Sequence, residues 1–99
     1  MPKVVIQNVL QPGKTYTVDE AKFTAMRAAF LQVLPEASPG LTPAEVQALV
    51  RPLLPQELFP DGEKAGWWSK AVQLDLEAKG LIIRAPDAPV RLRRASPPA

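Results

Sequence analysis

Residues 64–84 read KAGWWSKAVQLDLEAKGLIIR, and this stretch decides the architecture. At about 100° per residue, Trp67, Ala71, Leu74 and Ala78 fall together, with Trp68, Val72 and Leu76 on the adjoining arc. Ser69, Lys70, Gln73 and Glu77 take the opposite arc. So wide an apolar arc predicts a helix at the centre of the core. The helix begins near Lys64, with Asp61 as its cap. Lys79 in the last turn suits the macrodipole, and Gly80 is a natural left-handed stop. Past Gly80, Leu81, Ile82, Ile83 and Arg84 read as a strand. Residues 85–89 are a Pro-bounded turn. In residues 90–93 apolar and basic residues alternate, which predicts a second strand with Val90 and Leu92 inward and Arg91 and Arg93 outward.

Working back from this segment, residues 55–63 are a loop by composition, with Leu58 and Phe59 tucking onto the core. Before it, Thr42, Pro43 and Glu45 occupy the N-cap, first and third positions of a helix start. Leu41 and Val46 are spaced as a hydrophobic staple. Val46, Leu49, Val50 and Leu53 form the buried stripe of that helix, and Pro52 ends or kinks it near Arg51. Further back, Phe23, Met26, Phe30, Val33 and Leu34 recur at helical spacing, so a first helix is expected over residues 18–34. Thr17 and Glu20 have the form of a capping box there. At the N-terminus, β-branched residues 3–10 suggest a strand. Pro12 and Gly13 supply a type II turn, and residues 15–17 pair back.

The chain has 99 residues, twelve Lys and Arg against ten Asp and Glu, and neither Cys nor His. Thiolate and imidazole chemistry are therefore excluded, along with zinc fingers and Ser-His-Asp triads. No phosphate-cradling Gly loop is present either. The carboxylate groupings, Asp19 with Glu20 and Glu57 with Asp61 and Glu63, come with no nucleophile–base pair, so no catalytic residue, metal site or cofactor is expected. No run approaches the roughly 20 apolar residues of a membrane helix, and no secretory signal is visible, so a cytoplasmic location is expected. Charge is uneven: residues 1–63 carry five basic and seven acidic side chains, residues 64–99 seven basic and three acidic.

Three helices followed by a basic hairpin is the order of a winged helix-turn-helix. The spacing of Trp68, Val72, Leu76, Gly80, Leu81 and Ile82 resembles the end of the recognition helix and the start of the wing in many bacterial winged-helix proteins. The whole chain also resembles a family of small bacterial proteins of unknown activity, in Pro12 to Lys14, Lys64 to Lys70 and Leu74 to Ile82. The expected fold is thus α+β: a three-helix core with a C-terminal hairpin wing and an added N-terminal strand. It forms one domain over residues 1–94, followed by a disordered tail over 95–99. The link of residues 54–64 is longer than the three or four residues of a compact helix-turn-helix.

The resemblance implies a DNA-binding protein that contacts double-stranded DNA through the third helix and the wing. Its candidate contacts are Lys64, Ser69, Lys70, Gln73, Arg84, Arg91 and Arg93. Gln73 suits an adenine edge and Lys70 a guanine or phosphate. The arginines suit phosphates or a narrow minor groove. The competing reading is a winged helix used for protein interaction, as an adaptor or homodimer. A positive surface through Lys70, Arg84, Arg91 and Arg93 would favour the first. An exposed apolar patch around Trp67, Leu58 and Phe59 would favour the second. Trp68 is expected in the core, and Trp67 in part exposed near the helix start.

Overall fold

The computed structural model describes residues 2–37, 39–85 and 89–95. The element order is β1 (Lys3–Gln7), β2 (Thr15–Asp19), α1 (Glu20–Val33), α2 (Pro43–Val50), α3 (Ala65–Ala78), β3 (Ile82–Arg84) and β4 (Leu92–Arg94). The fold is α+β, three helices with two small antiparallel hairpins. Part of the expected 85–89 turn and most of the expected 95–99 tail lie outside the described residues.

The first hairpin forms because Val4 and Val5 face Val18 and Thr17 across the pair. This pairing corrects the expected helix start. Thr17 and Val18 are β-branched and stay in the strand, so Asp19 becomes the N-cap and its carboxylate accepts the Lys22 N–H at 2.9 Å. Both residue types can cap, and strand pairing decides between them. The strand also ends earlier than residue 10, since Val9 and Leu10 lie beyond β1.

α1 buries Phe23, Met26, Ala29 and Phe30, and Leu34 follows just past its end. α2 starts as its residues dictate. Thr42 Oγ1 accepts the Glu45 N–H, and the Glu45 carboxylate accepts the Thr42 N–H, so both halves of a capping box are made. These bonds to Thr42 hold the Glu45 carboxyl below its ordinary range, with a smaller contribution from Arg91. As pH falls, the unfolded chain therefore takes up this proton before the folded one does. The stabilisation is full above the ordinary glutamate range and is lost on its acid side. Thr42→Ala should lower the Tm by about 5 °C at neutral pH. In acid that deficit should shrink, which thermal melts across pH would read directly.

The stripe expected on α2 is only half correct. Val46 and Val50 are buried, whereas Leu49 is 46% and Leu53 42% exposed. Pro52 falls in a tight turn, Arg51–Leu53, which rotates Leu53 away from the stripe. Leu41 is not simply a staple: its N–H donates to Leu92 O at 2.9 Å and its carbonyl accepts the Leu92 N–H at 2.7 Å. The α1–α2 connection thereby becomes a third extended piece beside β4.

The loop after α2 is held by Phe59, 2% exposed and edge-on to Trp68 with ring centroids 6.3 Å apart. Leu58 is half-buried beside it. Asp61 does not cap α3; its carboxylate accepts from Gln56, and α3 has no side-chain cap. The core is the meeting place of α1, α2 and α3 with Ile82 and Leu92 of the second hairpin. Each fully buried large side chain there contributes about 1.5–3 kcal/mol relative to exposure.

Candidate functional site

α3 is buried on two sides. One side carries Ala65, Trp68, Val72 and Leu76 into the core. On another, Leu74 is buried at 8% beside the first hairpin. Two contacts hold the hairpin there. The Gln7 N–H donates to Asp75 Oδ1 at 2.8 Å, and the Val9 N–H donates to Leu74 O at 3.3 Å. Asp75 is wholly buried, and its other oxygen meets Lys79 Nζ at 2.9 Å.

Between hairpin and helix runs a groove of about 380 Å³. Ile6, Tyr16, Thr17 and Val18 line it from the hairpin, and Trp67, Lys70, Ala71 and Leu74 from α3. Trp67 is 58% exposed at this groove, braced edge-on by Trp68 at 5.0 Å between centroids. Lys70, exposed, is the charged residue of the lining and makes no ion pair among the described residues.

The seven residues singled out from the sequence do not come together as one polar face. Ser69 and Gln73 are buried, at 3% and 7% exposure, and the Gln73 amide donates to Glu77. The expectation that they lie on a wet arc is therefore corrected. On the wheel both adjoin the arc of Ala65, Val72 and Leu76, and burial reaches further round α3 than its apolar residues do. Lys64 is exposed and holds left-handed backbone, φ 59°, just before α3. Arg84 grips Glu77 with two bonds, Nε to Oε1 at 2.7 Å and Nη2 to Oε2 at 3.0 Å. That bond raises the arginine's pKa, so the guanidinium stays charged and committed.

Arg91 and Arg93 are half-buried rather than fully outward. Arg91 lies 3.8 Å from the Glu45 carboxylate, and Arg93 reaches Glu36 O at 3.4 Å. Arg94 donates to Leu34 O at 2.8 Å and lies 3.6 Å from the Glu36 carboxylate. These exposed pairs are individually weak, yet each sets a carboxylate or carbonyl beside a wing arginine and lowers the local positive potential. The expected apolar patch moves as well. Phe59 is in the core, and Trp67 joins the hairpin groove instead.

Sequence reasoning missed Asp75 and the groove-lining residues of β2. Asp75 carried one legible sign, an acid four residues before Lys79, the spacing of a helical ion pair. Its partner in β1 lies 68 positions away and leaves no local sign. Among the described residues no group of three acidic, His or Cys side chains could hold a metal. No described helix is long and apolar enough to cross a membrane.

Fold and groove together define a small α+β domain with an apolar cleft beside its central helix. The chain belongs to a family of unknown function, DUF6958, whose profile matches residues 3–92. No curated protein matches the chain, and no solved structure does.

Proposed function

We propose that the protein is a non-enzymatic protein-interaction module of winged-helix-like arrangement, engaging its partner through the groove between the first hairpin and α3. The observation that carries this reading is Trp67, a large apolar side chain 58% exposed on the rim of an apolar groove. Exposed aromatics in such settings mark interaction sites. The β3–β4 hairpin after α3, and its bridge to the α1–α2 connection, support the winged-helix-like arrangement.

The DNA-binding reading rests on fewer groups than the sequence suggested. Of its seven contacts, Lys64 and Lys70 are exposed with no ion pair among the described residues; the others are buried or engaged within the chain. Two free lysines, with a half-buried Arg93 that makes no ion pair among the described residues, provide little of the counterion release that drives DNA association.

Both readings are separable at low micromolar protein. An apolar dye that brightens on exposed hydrophobic surface should respond to the native protein. Trp67→Lys should reduce that response several-fold with the far-UV spectrum unchanged. Anisotropy of random duplex DNA should stay flat at about 50 and about 200 mM salt. Salt-dependent binding abolished by Lys64→Ala/Lys70→Ala, with no dye response, would return the assignment to DNA.

A further inference from the structure

We infer that the groove's partner is a second copy of this chain, joined by antiparallel pairing of β2 with β2. This inference rests on the interaction-module reading and names its partner.

β1 and β2 form a two-stranded sheet, so each has an edge not shared with the other. Gln7 faces Thr15 in the register, yet its N–H points away from β2 to Asp75. Gln7 and Thr15 are therefore a non-hydrogen-bonded pair, and by alternation so are Val5 and Thr17. The Glu20 N–H donating to Pro2 O fits the same phase. Thr15 and Thr17 thus turn their N–H and C=O groups outward. Among the described residues nothing meets them.

The side chains make that edge usable. Thr15, Tyr16 and Thr17 are all exposed, good strand formers and uncharged. They carry none of the lysines, prolines or bulges that usually blunt an edge. Tyr16, Thr17 and Val18 also line the groove, so a strand added at β2 lies along it.

Charge selects the occupant and its register. When Thr17 faces Thr17 of the second copy, Thr15 faces the second copy's Asp19, and Lys14, just before β2, comes beside the second copy's Glu20 at the start of α1. Opposite charges then meet twice, once on each side of the two-fold axis. Sliding one repeat one way places Val18 opposite Lys14 and loses the ion pair, and sliding the other way runs the pairing into α1. In the favoured register the second copy's Tyr16 lies opposite Val18, on the face that carries Ile6 toward the groove. Tyr16 and Trp67, exposed by 38% and 58%, would both be covered by the mate.

The test is sedimentation of the full chain from micromolar to millimolar concentration. The expected mass rises from 10.8 kDa to twice that. Thr17→Pro should stay monomeric throughout, with the Tm that the wild type shows when dilute. Among the described residues the Thr17 N–H has no partner, and proline is tolerated at a sheet edge. Lys14→Glu should weaken the dimer about tenfold, and adding Glu20→Lys should restore it. The swap decides the matter even if the proline variant does not fold. A wild type that stays monomeric overturns the inference, as does a dimer indifferent to both Thr17→Pro and the charge swap. A monomer whose Trp67 still governs the dye response sinks the self-pairing and leaves the module reading intact. Loss of the dye response as well sinks both.

Discussion

Gly40→Ala should destabilise the protein by about 3 kcal/mol. Gly40 has φ +89°, and a Cβ built there falls 2.2 Å from Leu92 O and 2.7 Å from Leu92 C. These are backbone atoms of β4, so no flexible side chain can yield. Left-handed backbone alone costs an L-residue about 1–2 kcal/mol. Relieving the clash moves Leu41 off Leu92 and loses their paired hydrogen bonds, each contributing about 1 kcal/mol. Against a total stability of about 5–15 kcal/mol, this should lower the Tm by about 15 °C. Gly13 provides the control. It too has positive φ, +86°, but nothing lies within 4 Å of an added Cβ. Gly13→Ala should cost about 1 kcal/mol. Equal melting temperatures for the two variants would show that the Leu41–Leu92 bridge contributes little.

Asp75→Ala should cost about 2–3 kcal/mol, the scale of hydrogen bonds to a charged group. It should also release the first hairpin selectively. The substitution leaves the Gln7 N–H without its acceptor and Lys79 without its partner. Lys79 is partly exposed and can return to water, so most of the loss falls on the hairpin. Asp75→Asn keeps an oxygen for Gln7 and gives up only the charge, and should cost about 1 kcal/mol. Hydrogen exchange distinguishes docking from global stability. Amides of β1 and β2 should lose protection in the alanine variant well before those of α1. Uniform loss along the chain would mean that Asp75 supports the core as a whole rather than the hairpin.

These sites bear on what the residues could say in advance. Thr42, Pro43 and Glu45 specify the α2 start because capping is local. Phe59 was legible as a core residue because an aromatic in a short loop has few other places to go. Reading failed where one residue type satisfies two local rules, as at Thr17 and Asp19. It failed again where burial is set by an element distant in the chain. Asp75 looks polar and therefore wet, yet it sits where α3 meets the first hairpin, while Ser69 and Gln73 adjoin the core arc and are buried with it. Arg84 reads as a free wing cation until the turn at Gly80 folds it back onto Glu77. The groove depends on β2 and α3 meeting, and no local pattern in either element announces the other.

The bond from Gln7 to Asp75 joins positions 68 apart, and this has a consequence for synthesis. The first hairpin leaves the ribosome well ahead of the helix it docks on. At about 5–20 residues per second, it waits several seconds for α3 to emerge. Throughout that interval Ile6 and Val18, buried in the finished protein, have no helix to cover them. The nascent chain therefore presents an uncovered apolar strand pair early and long. The order of synthesis, rather than the final energy, sets how long these residues stay uncovered.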